Sequence, residues 1–308
     1  MIRTDDAGLS EPAPSATRPR TRRSGRGWFV LPGTGYLILF ALYPLYQLIA
    51  MSLSDVTSAN ILRHWDWNGL DNFAATAQDP GFTVSIVNTV LLVVCLLIMG
   101  LGGGLVAALV LQHNTWLTSL TLGFMIFVWA LPPVVCGNLW KFLLSADGVV
   151  NATLKGLGLI DSPILWLVDD TLARMSVILI SVWTILPFAT LVIRAALLDV
   201  SQDLLEAAEM DGANAFQRFR HIVLAQIAPT LWVLAVLLVV SAFRSFDLIY
   251  VATSGGPGTA THTLPFLAYR QAIRTFQYGI GAATSVLALV IVLGLAFLYG
   301  WLQRGEDR

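Results

Sequence analysis

The chain has 308 residues, 56% of them hydrophobic and 12% charged, with a mean hydropathy of +0.73. Soluble domains carry about a quarter charged residues, so this composition excludes an ordinary soluble protein and points to a polytopic membrane protein. A net charge of −1 offers no footprint for nucleic acid, and Cys95 and Cys136, both in apolar stretches, lack disulfide or metal-site spacing.

Residues 1–27 are polar and rich in Pro, Ser, Thr and Arg, which reads as a disordered tail. Arg18, Arg20, Arg22, Arg23 and Arg26 crowd before the first apolar run and place this end in the cytoplasm. A signal peptide has the same outline. However, residues 28–54 carry no charge, too long a run for a signal core and long enough to cross about 30 Å of hydrocarbon. We therefore read an uncleaved first span, 28–53. Residues 55–81 hold Asp55, Asp66, Asp71 and Asp79 against Arg63 alone, which suits an outer loop.

From Gly81 to Ala146 the only charged side chain is Lys141, room for spans at 82–111 and 117–143 with a break at Gln112-His113-Asn114. Gly100 and Gly104 form a G-x-x-x-G pair that lets helices approach closely; no Lys-Ser/Thr follows, so this is not a phosphate loop. Pro132-Pro133 is expected to kink or break the third span. A second acidic outer loop, 147–171, leads to a fourth span at 173–194. The fifth and sixth are placed at 224–247 and 278–302, with a short cytoplasmic tail at 303–308. The fold class expected is an all-α polytopic membrane protein with six spans and both termini in the cytoplasm.

Residues 199–229 are the one long charged stretch between late spans, with Asp199, Asp203, Glu206, Glu209, Asp211, Arg218 and Arg220. Leu204, Leu205 and Ala208 fit a short helix stopped at Asp211-Gly212, since glycine turns a chain without a Cβ penalty. Ala215, Phe216, Phe219, Ile222 and Val223 then recur with helical period and predict a second short helix. Phe216 and Phe219 would make a knob for a groove on a soluble partner. Many cytoplasmic loops are amphipathic connectors and nothing more, and spacing alone leaves both readings open.

The run Glu206-Ala207-Ala208, Asp211-Gly212-Ala213, Phe216, Phe219, Ile222 and Leu224 resembles the EAA loop of importer-type ABC transporter permeases. The branch it is most similar to is that of carbohydrate uptake, typified by maltose and glycerol-3-phosphate permeases. One departure is Ala225, where that family usually has proline. Three other stretches look like the same family: WNGLDNFA after the first span, the region from Pro132-Pro133 through Asn138 and Trp140, and Phe246-Asp247 followed by Thr253, Gly255-Gly256-Pro257 and Thr263-Leu264. The resemblance implies a type I ABC importer permease fold with a cytoplasmic coupling loop at 199–224. It also implies a heterodimer with a second homologous permease, two ATP-binding subunits that hold ATP and Mg, and an extracytoplasmic substrate-binding protein facing Gly255, Gly256 and Pro257. Glu206 would position the loop by charge-assisted bonds, and any side chain at Gly212 is expected to uncouple hydrolysis from transport.

No catalytic constellation or nucleotide-binding motif is present, and His64, His113, His221 and His262 are scattered. For a sugar, held by hydrogen bonds and by stacking on aromatics, the candidate path residues are Asn138, Trp140, Trp183, Thr184, Phe243, Ser245, Phe246 and Asp247. Arg244 and Asp247 either act in the path or pair to stabilise a helix end. The alternative class is an ATP-independent secondary transporter or channel for a small polar solute. Against it stand the lack of a chain of intramembrane carboxylates and of obvious duplicated halves.

Overall fold

The computed structural model of the chain describes residues 27–306. The predicted basic tail, save Gly27, and residues 307–308 lie outside them. The chain divides into two compact units, Met1–Tyr46 and Gln47–Arg308. In the first, the described part belongs to helix α1 (Gly27–Ser52), which carries Pro32 and Pro44 and sets Tyr36 against Phe40 at 4.4 Å.

The second unit begins with the end of α1 and a two-residue antiparallel bridge, β1 (Ser54–Asp55) with β2 (Asp66–Trp67). The short helix α2 (Asp71–Gln78) follows. The NGLDN piece is a knot: Gly69 turns at φ +65, and the buried Asn72 amide donates to the carbonyls of Ser52 (3.1 Å) and Ser54 (2.8 Å). Asp79 then caps α3 (Pro80–Val110), accepting from Gly81 N at 2.8 Å, with Pro80 where no intrahelical donor is missed.

Five described helices are long and apolar enough to cross a membrane: Pro32–Ser52 of α1, α3, α7 (Asp170–Leu198), α9 (Ala215–Phe243), and Tyr278–Phe297 of α12 (Tyr278–Glu306). The stretch expected as the third span, 117–143, consists of two helices, α4 (Trp116–Ala130) and α5 (Pro133–Leu143), which meet at 104° at the proline pair. Counting the bent pair as one gives six. The cause is local. Pro132 forces Leu131 into extended backbone (ψ 133) and cannot donate, while Pro133 restarts a helix at its first turn. The remaining helices are α6 (Val149–Gly156), α8 (Gln202–Met210), α10 (Phe246–Ala252) and α11 (Leu264–Tyr269), the last continued by π-type bonding over Arg270–Arg274. The expected tail 303–308 is helical as far as Glu306, because α12 runs on.

Helix α7 is central, with α3, α4, α5, α9 and α10 packed on it. Lipid tails are as apolar as leucine, so in a bilayer these contacts gain from close fit rather than from escape from water. The G-x-x-x-G pair supplies that fit. A Cβ on Gly104 would lie 3.1 Å from Ala189 Cβ of α7, and one on Gly100 would lie 3.0 Å from Leu238 Cδ1 of α9. The core at this level is Ala108, Ala189, Ile193, Leu197, Ile227, Leu234 and Leu238.

Candidate functional site

The charged stretch folds as helix, tight turn and helix. Val200 is buried and anchors the chain after α7, and Asp203 sits in the first turn of α8, where an anion suits the helix dipole. Gly212 has φ +82 and ends α8: Gly212 N donates to Glu209 O (3.0 Å) and Ala213 N to Ala208 O (2.9 Å), the paired bonds of a Schellman stop. The next helix starts on a reciprocal capping box. Asn214 Oδ1 accepts from Gln217 N, and Gln217 Oε1 accepts from Asn214 N, each at 2.9 Å. Arg218 donates to the Glu209 carboxylate, closing an ion pair across the turn.

The expected second short helix is corrected here. Ala215 to Phe243 is one continuous helix, with π-type bonding over Phe219–Val223, because nothing from 219 to 225 breaks a helix and Ala225 stands where a proline would. Pro229 lies inside α9. Of the predicted coupling residues, Glu206, Ala207, Asp211, Gly212 and Phe216 are exposed, and Ala208, Ala213 and Phe219 are half-buried. Phe216 is 66% exposed, and in α8 Leu204 (48%) and Met210 (89%) are exposed as well. Sequence reasoning missed the Asn214/Gln217 box, which the N-x-x-Q spacing does signal, and the Glu209–Arg218 pair, nine positions apart, which it does not. Behind the turn, Arg194 of α7 donates to Leu111 O (2.9 Å) and Asn114 Oδ1 (3.0 Å), tying down the end of α3.

At the other end of the helices, the path candidates separate into two groups. Trp140 and Trp183 meet edge to face at 5.4 Å, and Phe246 stacks with Tyr250 (5.6 Å) and packs on Tyr269 (4.8 Å) and Phe266 (5.9 Å). Phe243, Tyr269, Ser285 and Ala288 line a cleft of about 430 Å³. The polar candidates are satisfied locally: Thr184 donates to Ser181 O, Ser245 to Ala242 O and Asn138 to Val134 O. Asp247 and Arg244 are exposed and form no ion pair with each other among the described residues. Tyr250 and Tyr269 were missed, although both fall at helical spacing from Phe246 or Phe266.

The Gly255-Gly256-Pro257 loop is only partly a surface. Gly255 (φ +85) is buried, and a Cβ there would collide with the Phe266 ring and lie 2.7 Å from His262, so close packing requires a glycine here. Gly256 and Pro257, joined by a cis bond, are half-buried, while Ser254 and Gly258 are exposed. Close by, Arg270 donates to both Asp79 carboxylate oxygens (2.7 and 2.6 Å), and Gln271 adds a bond at 3.1 Å. Burial pushes the Asp79 carboxyl up, but the Gly81 amide, Gln271 and Arg270 outweigh it and hold it below the usual range. Buried His262, facing Arg270 and Asp79, is pulled down to about 4, first by desolvation and then by the guanidinium.

A family model described as the binding-protein-dependent transport system inner membrane component matches residues 100–308. The chain is 32% identical over 272 residues to the trehalose/maltose transport system permease protein MalF of Thermococcus litoralis, covering 88% of this chain and 90% of that protein. It is 30% identical over 281 residues to the sulfoquinovosyl glycerol transport system permease protein SmoG of Agrobacterium fabrum (90% and 89%). Its fold matches a chain of a bacterial alginate ABC transporter, solved in complex with an alginate pentasaccharide-bound periplasmic protein, with TM-score 0.78 at 22% identity over 92% of this chain and 94% of that one.

Proposed function

The chain belongs to the binding-protein-dependent transport system inner membrane components, and from that membership we propose that it is a permease subunit of an ATP-driven importer for a sugar or sugar-like solute. The solute arrives on an extracytoplasmic binding protein. A second, homologous permease completes the path across the bacterial plasma membrane, and both termini lie in the cytoplasm. Two ATP-binding subunits, which hold ATP and Mg, dock on the 199–224 loop. The relatives named for sugar and sugar-glycerol transport support the solute class, since each aligns along almost its whole length.

The observation that carries the coupling part is the build of the turn. A Schellman stop, a capping box and an ion pair brace four residues between α8 and α9, with Leu204, Met210 and Phe216 bare beside it. A stiff turn with an apolar knob suits a lever. Nucleotide closes the ATPase pair, α8 moves with it, and α7 and α9 follow as rods, so the path opens alternately to either side. Free apolar groups supply affinity, while the braced backbone keeps the displacement from being absorbed locally.

The test is Gly212→Val in the chain co-expressed with the second permease, ATPase and binding protein. A Cβ at Gly212 meets no atom within 4 Å, so only the left-handed backbone is penalised, by about 1–2 kcal/mol and more for a β-branched residue. The expected result is normal insertion and subunit recovery, retained ATP hydrolysis and lost transport. Wild-type transport by the variant counts against the coupling role. A chain that purifies alone and transports in liposomes without nucleotide favours the secondary transporter or channel.

A further inference from the structure

We propose that Asn88 and Arg174 are positioning residues that clamp the 254–263 loop to α3 and α7, so that a displacement of that loop passes along α7 to the charged turn. The inference rests on the importer reading and adds to it a specific joint.

One loop atom joins three segments. The Ala260 carbonyl accepts from Asn88 Nδ2 of α3 at 2.7 Å and from Arg174 Nε of α7 at 3.4 Å. The same Asn88 amide donates to His262 O at 2.9 Å, and the next residue, Thr89, takes Leu264 N on its hydroxyl at 3.0 Å. Asn88 and Thr89 are buried, where a carbonyl left without a donor is costly, so the loop gains by staying in place. Asn88, Arg174, Thr261 and Thr263 also line a cavity of about 10 Å³. Asn88 Oδ1 and Thr263 Oγ1 are buried without a hydrogen-bond partner among the described residues.

The loop is itself a stiff block. Thr253 and Thr261 share a hydroxyl bond at 2.8 Å, Thr261 donates to Gly256 O at 3.0 Å, and Ala260 N donates to Pro257 O at 2.8 Å. A push on its exposed residues, Ser254 and Gly258, is therefore carried to Ala260 rather than dissipated. Arg174 lies in the first turns of α7, just beyond its Asp169 cap. The whole helix runs without interruption for 29 residues, about 43 Å at 1.5 Å per residue. Its other end passes through buried Val200 into α8, which ends at the braced turn. Pro187 lies inside α7 but is buried, held by its neighbours. Coupling needs an element that both ends bias, and α7 is bonded to the loop at one end and leads through α8 to the turn at the other.

The experiment uses the complete transporter in nanodiscs, with and without its binding protein, and reads basal ATP hydrolysis, stimulated hydrolysis and subunit composition. In Asn88→Leu and Arg174→Met we expect unchanged composition and basal hydrolysis, with stimulation by the binding protein cut about tenfold, a coupling free energy of ordinary size. Arg174→Lys, whose ammonium reaches the same carbonyl, keeps the stimulation. Wild-type stimulation in both Asn88→Leu and Arg174→Met overturns the clamp. Equal loss of basal and stimulated hydrolysis in both variants also overturns it, leaving a purely structural joint. An unmodified chain that recruits no ATPase subunit fails the importer reading itself, a result visible before any variant is made.

Discussion

At the scale of single residues, the most informative position is His262. Sequence gave no reason to prefer it among four scattered histidines, because its environment is made by Asp79 and Arg270, distant in the chain. The fold keeps it neutral, with a pKa of about 4 against 6.5 when free. Between those values the unfolded chain binds a proton that the folded one refuses, so stability falls as pH drops from 6.5 to about 4 and is flat on either side. The loss is at most about 3–4 kcal/mol, at 1.36 kcal/mol per unit. Asp79, lowered from 3.8, adds a loss of the same sign in a separate window, as pH falls below that value. We expect the apparent unfolding temperature in detergent to decline across the upper window and His262→Phe to remove that decline. An unchanged slope in the variant would assign the acid sensitivity elsewhere.

At the scale of elements, spans were legible and joints only partly so. The apolar runs for α3, α7, α9 and α12 could be read from charge-free length alone, and Gly212 from its place after an amphipathic run. The proline pair announced a break, but not its angle of 104°, nor the close seat of Gly137 of α5 against Val251 of α10, a contact no local pattern encodes. The start of α9 was misread because a helix ends only where something ends it, and residues 219–225 hold neither glycine nor proline. The glycine pair was read for its physical effect, and that effect is testable. A Cβ on Gly104 already meets Ala189 and Ile193 at 3.1 and 3.2 Å, so Gly104→Leu forces α3 from α7. Overpacking of this kind costs about 1–3 kcal/mol, and a lower unfolding temperature is expected. Gly102→Leu, at an exposed site with open space, serves as the control and is expected to be neutral.

At the scale of the whole molecule, the two ends of the bundle are held by different means. Near the charged turn the core is apolar, Ile193, Leu197, Ile227 and Leu234, and its helices are joined mainly by close fit. Near the loops the helices are tied by polar bonds between remote parts of the chain: Asn88 to Ala260, Thr76 to Thr284, and Asp79 to Arg270. Displacing the first kind of contact costs close packing, whereas displacing the second breaks directed hydrogen bonds. The Asp79–Arg270 pair, 191 positions apart, is the longest-range ion pair among the described residues and fastens α3 to the segment after α11. It is partly buried, with side-chain exposures of 17% and 33%, so its loss is discounted for solvent screening. We expect Asp79→Asn or Arg270→Met alone to cost about 1–3 kcal/mol, because each strands a polar partner, and the double variant to cost less than their sum. Unfolding temperatures of the four proteins give the coupling directly. Additive losses would mean that the two groups stabilise the fold separately, and that the bond between them is not what joins α3 to the segment after α11.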